Sequence, residues 1–301
     1  MNTNPAFHNP LLVARRPERD NTAQTLNALY AHLTRCPINL MVDQHTADVM
    51  SPKPTTVVDI NAIPPHCDLI IVVGGDGSIL GAAHIGLPHQ LPILGINLGR
   101  IGFLTDLHPD NLESISAILS GAYQAEFRSL LSLTLTDGVT DHYQDQALNE
   151  IVLLPGNATQ MIEFEIWIND AFVCSQRADG IITATPTGST AYALSGGGPI
   201  LHPGVPAILM VPMFPHTLSS RPIVLPDTAE VSIRLSPNNT HGAHLSVDGQ
   251  RRIPINTGHD IHIKKHTETL QLIHPNDYYY FHTLRDKLGW ETRQGQEKAP
   301  C

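Results

Sequence analysis

The chain is poor in charged residues, and in basic residues above all. Lys and Arg number 18 against 28 Asp and Glu, the formal net charge is −10, and charged residues make up 15% of the 301 residues. A typical soluble domain carries about 25% charged residues, and a nucleic-acid-binding surface needs a basic patch. The composition therefore argues against a nucleic-acid partner and against a charge-rich disordered chain.

Cysteines and long apolar runs are also scarce. The four cysteines, at positions 36, 67, 174 and 301, form no CxxC pair, so neither a disulfide framework nor a zinc ribbon is expected. Apolar runs such as Leu69–Val73 stop far short of the ~20 residues of a membrane span. The first arginines follow a short apolar stretch, which is the wrong order for a signal peptide. The sequence therefore predicts a soluble protein of the reducing cytoplasm, with no membrane partner.

The pattern of apolar and polar residues changes near residue 125. Before it, short apolar strands alternate with helical patterns, one of which places Leu26, Leu29 and Leu33 on a single face. This alternation is typical of βαβ units and predicts an α/β N-terminal domain over residues 1–125 with a Rossmann-like parallel sheet. Strands are predicted at 11–13, 38–42, 69–73 and 92–96, and helices from about 22, over 78–86 and along 112–119.

The second part of the chain has strand-like alternation. Segments at 131–135, 164–168, 231–235 and 261–263 alternate apolar with polar or small residues, and Gly, Pro or Asn clusters separate them. This pattern predicts a β-rich C-terminal domain over residues 126–273, with antiparallel strands. A last helix is predicted at 278–288, and the segment 274–301 is expected to pack back on the first domain.

The sharpest local signal is the glycine-rich turn Gly74-Gly75-Asp76-Gly77-Ser78, between the strongest apolar strand and a helix. Glycines permit positive φ and leave backbone N–H groups free to face an anion at a helix N-terminus. The turn is not a Walker loop, since the chain has no Gly-Lys pair, and it lacks the third small residue of the dinucleotide fingerprint. It predicts a phosphate loop; the alternative is a tight turn in which Asp76 caps the helix.

A second signal is the run of small, hydroxyl and glycine residues from Asp179 to Ile200. Many hydrogen-bonding groups in little volume suit a polar, flat ligand with a ring and a sugar. This run and the GGDG turn, with NLGRIGFL at 97–104, Asn149-Glu150, PHTLSSRPI at 215–223 and VDGQ at 247–250, closely resemble the bacterial ATP-NAD kinase family. The blocks stand in family order over most of the chain. GGDG alone is less specific, because phosphofructokinases and lipid kinases share it.

The resemblance implies a reaction. A phosphoryl group would pass from ATP, or another donor such as polyphosphate, to the 2′-hydroxyl of the adenosine ribose of NAD, giving NADP. The site would lie in the cleft between the two domains, with a divalent cation, Mg²⁺, on the phosphates, and the protein would be a homo-oligomer, a dimer or a tetramer. Gly74, Gly75, Gly77 and Ser78 would form the phosphate loop. The attacking hydroxyl must lose a proton, and Asp76 is the expected general base; orienting the substrate or binding the metal is the alternative role.

The resemblance also implies an NAD-binding set. The residues expected at the turn and around the adenine are Asp76, Gly77, Phe103, Asn149, Thr190 and Ala191. Those expected toward the riboses and nicotinamide are Glu150, Asp179, Tyr192 and Ser195, with Arg177 and Gln250 as weaker additions. Tyr192 and Phe103 have a simpler alternative as core residues.

Two rival functions remain open at this point. A lipid or sphingoid kinase of the GGDG superfamily would carry a Gly-Thr-x-Asn-Asp block, where this chain has residues 99–103. A non-catalytic dinucleotide sensor would keep the pocket without turnover. The 17 histidines suggest no metal site: His259, His262 and His266 fall in a strand pattern where their rings do not converge, and only His216, inside a family block, is a candidate for the site. No residue is assigned to a metal.

Overall fold

The computed structural model describes residues 6–14, 22–99, 102–157, 160–239 and 241–290. The chain divides into two units: unit 1 comprises Met1–Glu126 and Gln271–Cys301, and unit 2 comprises Phe127–Leu270. Unit 1 combines a sheet with helices and unit 2 is rich in strands, so the predicted fold class is confirmed. The boundaries predicted near 125 and 273 lie within three residues of the observed divisions.

Unit 1 is built around a parallel sheet. Its strands are β1 (Pro10–Ala14), β2 (Met41–Asp43), β3 (Val57–Val58), β4 (Leu69–Val73) and β5 (Ile93–Ile96), and its first four helices are α1 (Thr22–Leu33), α2 (Gln44–Asp48), α3 (Asp76–Gly86) and α4 (Leu112–Leu119). The strands pair in parallel in the order β3-β2-β1-β4-β5. Every residue of β1, β4 and β5 is buried, as in a sheet covered on both faces.

Unit 2 contains two layers of antiparallel strands. The remaining elements of the chain are β6 (Tyr123–Thr136), β7 (Asp141–Ala147), β8 (Glu150–Pro155), β9 (Ile162–Ile168), β10 (Ala171–Ala178), β11 (Gly180–Ala184), α5 (Tyr192–Ser195), β12 (Ala207–Met213), β13 (Ile223–Pro226), β14 (Val231–Leu235), β15 (Ala243–Val247), β16 (Arg251–Ile255), β17 (Asp260–Pro275) and α6 (Tyr280–Leu288). One layer has the order β13-β12-β11-β8-β15-β16, and the other contains β10-β9-β14-β17. Phe164 of β9, Met210 of β12 and Leu245 of β15 share one apolar core.

The strand β17 belongs to both units. Its residues up to Leu270 lie in unit 2, where β17 pairs antiparallel with β14. From Gln271 onward it lies in unit 1, where Leu272 and Ile273 pair in parallel with β5. The end of the chain therefore supplies a strand to the α/β sheet.

Three predicted element boundaries need correction. The strand expected at 38–42 is the shorter β2, because the N–H of Ile38 donates to the Cys36 carbonyl (2.8 Å) in the turn that ends α1. The helix expected from 78 begins at Asp76, and the last helix begins at Tyr280 instead of 278. Within the described part of the chain, no helix is long and apolar enough to cross a membrane.

Candidate active site

The glycine-rich turn begins where β4 ends. Gly74 has φ +156° and its N–H donates to the Ile96 carbonyl of β5 (2.8 Å). A Cβ at Gly74 would overlap the Ser78 side chain, so glycine is required there. Gly75 is the N-cap of α3, and Gly75 and Gly77 are exposed. The turn thus places exposed glycines at the start of a helix, the position expected of a phosphate loop.

Asp76 is the first residue of α3, and it is not the cap of that helix. Its carboxylate turns to a neighbouring loop, where Oδ2 accepts the N–H of Phe103 (2.9 Å) and Oδ1 accepts the N–H of Leu104 (3.0 Å). The alternative in which Asp76 caps the helix is therefore wrong. Two charge-assisted hydrogen bonds fix the plane of the carboxylate, and each oxygen retains a further lone pair.

Gly102 makes room for that carboxylate. A Cβ at Gly102 would overlap Asp76 Oδ1 and come within 2.6 Å of Thr105 Oγ1. The N–H of Gly102 donates to the Thr105 carbonyl (2.9 Å), and the Asn97 side chain donates to Thr105 Oγ1 (2.7 Å). Gly95 of β5 lets the loop lie against the sheet, because a Cβ there would meet the Leu104 carbonyl at 2.9 Å. We call residues 102–107 the carboxylate loop.

In unit 2, a buried aspartate holds the Asn149-Glu150 pair. Asp248 Oδ1 accepts the N–H groups of Asn149 (2.8 Å) and Glu150 (3.0 Å), and Oδ2 accepts the N–H of Leu148 (2.9 Å). Asp248 and Gly249 both have positive φ, at 50° and 64°, so the turn after β15 aims this carboxylate at the start of β8. The resemblance named the block at 247–250 but no role for Asp248; the Asp-Gly turn is the sequence signal that could have found it.

The run of small residues packs directly on this pair. The Thr185 N–H donates to the Asn149 carbonyl (2.9 Å), and the Thr185 hydroxyl donates to the Leu148 carbonyl (2.6 Å). A Cβ at Gly188 would overlap the Asn149 backbone, which explains a glycine at that position. The backbone N–H of Tyr192 donates to the Glu150 carboxyl. The structure therefore brings together Asn149, Glu150 and the segment of Thr190, Ala191 and Tyr192.

Glu150 is a buried acid with an unusual charge state. The side chain is 6% exposed. Burial, reinforced by the nearby Asp248 carboxylate and opposed by the Tyr192 N–H, raises the pKa of Glu150 to about 8. Its Oε2 has no hydrogen-bond partner among the described residues. At neutral pH the group is therefore mainly a neutral carboxyl that can both donate and accept.

The other predicted NAD-binding residues of unit 2 are spread over two cavities and the surface. Tyr192 and Ser195 are exposed and line a cavity of about 380 Å³ with Gly197 and Phe214. Tyr192 is 42% exposed, so its alternative as a core residue is wrong. Arg177 lines a different cavity, of about 590 Å³. 

Asp179 and Gln250 are not among the residues that line either cavity. The N–H of Asp179 donates to the Met213 carbonyl (2.9 Å), and Gln250 is exposed in the turn after Asp248. Phe103, in unit 1, is half-buried. Arg100 and Ile101, which belong to the block at 97–104, lie outside the described residues. The expected position of the site between two domains stays a prediction, as do the roles of the site residues.

The histidines singled out from the sequence have ordinary contacts. His262 Nδ1 lies 2.9 Å from Ser232 Oγ, and the His259 ring packs 5.1 Å from that of His142. The backbone N–H of His216 donates to the Arg177 carbonyl (2.9 Å). No group of three or more His, Cys, Asp or Glu residues able to hold a metal occurs in the described ranges.

Comparison with known proteins places the chain in a family. The family model for the ATP-NAD kinase N-terminal domain matches residues 11–123, and the model for the ATP-NAD kinase C-terminal domain matches residues 148–275. A protein of Coxiella burnetii (strain Dugway 5J108-111) named NAD kinase is 51% identical over 289 residues, which cover 96% of each chain. The two-domain fold and the paired signature blocks are thus those of a kinase. The chain belongs to the NAD kinase family.

Solved structures agree on the fold. The yeast NADH kinase complexed with NADH superimposes with a TM-score of 0.79 at 25% identity, covering 98% of this chain and 91% of that one. The NAD kinase from Archaeoglobus fulgidus in complex with ATP gives a TM-score of 0.67 at 24% identity, covering 93% of this chain and 98% of that one. These kinases therefore share the fold of this chain, with an α/β domain and a β-rich domain.

The glycine at 102 offers a test of the Asp76 geometry. We expect Gly102→Ala to push the Asp76 carboxylate off the Phe103 and Leu104 amides and to lower kcat by about 10- to 100-fold, as small misplacements of a reacting group do. Steady-state kinetics with circular dichroism measures this effect. Gly258→Ala, at an exposed glycine with no atom near its Cβ position, is the matched control. Equal activity of the two variants would contradict the assignment.

The raised pKa of Glu150 predicts a pH-dependent stability. The neutral form is favoured in the folded protein, so the stabilisation is complete below the ordinary pKa of 4.5 and is lost as the pH rises through about 8. Relative to Glu150→Gln, the wild type should therefore lose Tm steadily between pH 5 and 9. Thermal melts of both proteins, with the exposed Glu268→Gln variant as control, measure the difference. A Tm difference that is constant with pH would refute the prediction.

Proposed function

We propose that this kinase transfers the terminal phosphoryl group of ATP to the 2′-hydroxyl of the adenosine ribose of NAD, producing NADP. Support comes from the family membership and from the ligands of the related structures, NADH in the yeast kinase and ATP in the Archaeoglobus fulgidus kinase. The carrying observation is the fixed Asp76 carboxylate at the head of an open glycine turn. The carboxylate would accept the proton of the reacting hydroxyl, and the backbone of the turn would bind the phosphates of the donor.

Asp76 is the proposed general base. As the phosphoryl group arrives, the ribose hydroxyl must lose its proton, and a positioned carboxylate contributes about 10²–10⁴ in rate by accepting it. The two amides leave a lone pair on each Asp76 oxygen for that proton. A carboxylate fixed by backbone groups also loses little entropy in reaching its reactive position. The Phe103 and Leu104 amides moreover keep Asp76 from turning back to cap α3.

Phosphates are proposed to bind at the turn of Gly74, Gly75, Gly77 and Ser78. Backbone N–H groups at the N-terminus of α3 attract anions without a lysine. We propose that Mg²⁺ enters with ATP. Mg²⁺ typically binds substrate phosphates with one or two carboxylates and several waters. Bound there, the cation would neutralise charge on the phosphate oxygens.

The NAD-binding set in unit 2 centres on the Asn149-Glu150 pair. The Asn149 amide is proposed to read the N6 and N7 edge of adenine, as asparagine does in base recognition. The unpartnered Oε2 of Glu150 is proposed to accept a ribose hydroxyl, which would satisfy a buried polar atom. The remaining proposed contacts are those of Gly77, Phe103, Arg177, Asp179, Thr190, Ala191, Tyr192, Ser195 and Gln250.

We propose a cytoplasmic location, and the state of the cysteines supports it. Cys36, Cys67 and Cys174 are free thiols, and thiols stay reduced in the cytoplasm. 

We further propose that the protein is a homo-oligomer, a dimer or a tetramer. Phe172 and Val173 of β10 are 54% and 42% exposed, and Val224 of β13 is 47% exposed. Both strands are edges of their layers, and exposed apolar edges mark association surfaces. Phe172→Glu should therefore shift the mass measured by sedimentation equilibrium toward the monomer, whereas Phe127→Glu, at another exposed Phe, should not. An unchanged mass would contradict this surface.

The activity assay tests the reaction and the base together. Purified protein with ATP, Mg²⁺ and NAD should form NADP, and Asp76→Asn should lose about 10²–10⁴ in kcat while still binding NAD in calorimetry. Asp286→Asn, at an exposed site on α6, is the control. Polyphosphate, other nucleoside triphosphates and NADH as alternative substrates define donor and acceptor. If NAD is phosphorylated with none of these donors, the proposed function is wrong. If Asp76→Asn is fully active, only the role of Asp76 as general base is wrong.

A further inference from the structure

His274 is almost completely buried between two carboxylates in unit 1. Its ring is 1% exposed, Nδ1 lies 3.0 Å from Asp106 Oδ2, and Nε2 lies 3.2 Å from Glu126 Oε2. The ring stacks on Tyr278 with centroids 3.9 Å apart and an angle of 9°. A buried imidazole that faces two acids is costly to maintain unless it is paired on both sides. Nothing in the proposed chemistry uses His274 directly.

One of the two acids lies on the carboxylate loop. Asp106 follows Thr105, the residue that holds Gly102 and Asn97, and comes two positions after Leu104, whose N–H binds Asp76. The other oxygen of Asp106, Oδ1, is buried without a hydrogen-bond partner among the described residues. Asp106 therefore depends on His274 for its side-chain anchorage.

Besides the Asp76 carboxylate, backbone groups and Asn97 also contact this loop. The Asn97 N–H donates to the Leu107 carbonyl (2.8 Å), and Ile96 and Leu107 form a parallel bridge. These contacts fix the loop to β5 at its far end. The His274–Asp106 contact fixes it to β17, so the loop is held between two neighbouring strands. The amides of Phe103 and Leu104 come directly before these anchors in the chain.

The protonation state of His274 decides whether both acids are paired. Only the imidazolium carries an N–H on both nitrogens, one in the hydrogen bond to Asp106 and one facing the Glu126 carboxylate as an ion pair; the neutral ring has a single N–H. Burial lowers the pKa of His274, but the hydrogen bonds and charges of Asp106 and Glu126 outweigh it and leave the pKa raised. Tyr278, the third titratable group at the ring, stacks on its face, where a cation is favoured.

We propose that His274 is a positioning residue for the kinase reaction: through Asp106 it holds the carboxylate loop, whose Phe103 and Leu104 amides orient Asp76. The proposal rests on the proposed role of Asp76. It assigns to His274 an effect on kcat and not on NAD binding, because the Asn149-Glu150 pair in unit 2 has its own support from Asp248. It also makes the two acids unequal, since only Asp106 is on the loop.

Two amide substitutions separate positioning from simple packing. In His274→Asn the side-chain N–H₂ can replace Nδ1 toward Asp106, and in His274→Gln it can replace Nε2 toward Glu126. We expect His274→Gln to lower kcat by about 10- to 100-fold with the KM for NAD changed less than twofold, and His274→Asn to retain more activity. A packing role predicts the opposite order, because Asn leaves the larger cavity.

A second pair of variants keeps the histidine. Asp106→Asn should lower kcat as His274→Gln does, whereas Glu126→Gln, on the other nitrogen, should leave kcat within about twofold. Hydrogen exchange of the peptide that contains the Phe103 and Leu104 amides supplies a readout without substrate. Exchange should accelerate in Asp106→Asn and His274→Gln and stay unchanged in Glu126→Gln.

The pH profile distinguishes His274 from Glu150. As the pH rises through the raised pKa of His274, the single N–H that remains is divided between the Asp106 and Glu126 sides of the ring, so the wild-type kcat should fall. This alkaline limb should be absent in His274→Asn, which cannot titrate. Titration of Glu150 should instead alter the KM for NAD. Unchanged exchange, or equal kcat in the Asn and Gln variants and the wild type, would overturn the positioning role. Absence of NAD phosphorylation by the wild type would instead overturn the proposed function, with the exchange measurement still deciding the link to the loop.

Discussion

The structure depends on carboxylates that accept backbone N–H groups. Asp76 binds the amides of Phe103 and Leu104, and Asp248 binds those of Leu148, Asn149 and Glu150. In each unit a single acid orders the loop that carries the signature residues. Because a charge-assisted bond to a backbone N–H is directional and about twice as strong as a neutral one, these two acids fix the geometry of the irregular segments that lie beside α3 and β8.

This arrangement gives the acidic composition a physical meaning. A net charge of −10 with only 18 basic residues is unexpected for a protein that handles phosphates. Phosphate, however, can be held by open N–H groups at a helix N-terminus and by a cation that arrives with the nucleotide. The acidic side chains can then bind hydroxyl groups and backbone amides. Glu150 differs from the others, because burial beside Asp248 keeps its carboxyl mainly neutral.

Much of the fold was predictable because its signals are local. The buried strand Leu69–Val73 and the helix that begins at Thr22 follow from apolar periodicity and from residues that start helices. The GGDG turn was recognisable because the backbone at Gly74 has a positive φ, which favours glycine. The sequence could not show that Asp76 binds a loop 27 residues away, or that Asp248 supports Asn149, since such pairings exist only after the strands have assembled.

His274 illustrates the same limit more sharply. Among 17 histidines it stands in an ordinary strand pattern, whereas His259, His262 and His266 have a spacing closer to that of a metal site. What distinguishes His274 is its burial between Asp106 and Glu126. Each of these two acids is more than 100 residues away from His274 in the sequence. Burial of a titratable group is a tertiary property, and residue type and spacing carry little information about it.

The shared strand β17 also has a consequence for the order in which the molecule is made. The parallel partner of β5 is formed by Leu272 and Ile273, which leave the ribosome only after the whole of unit 2. Domains usually fold from the N-terminus onward during synthesis. In this chain, however, β5 has no strand partner on one side until the strands of unit 2 have been synthesised. His274 lies on the same part of β17, so the loop that orders Asp76 gains this anchor only after unit 2 has been synthesised.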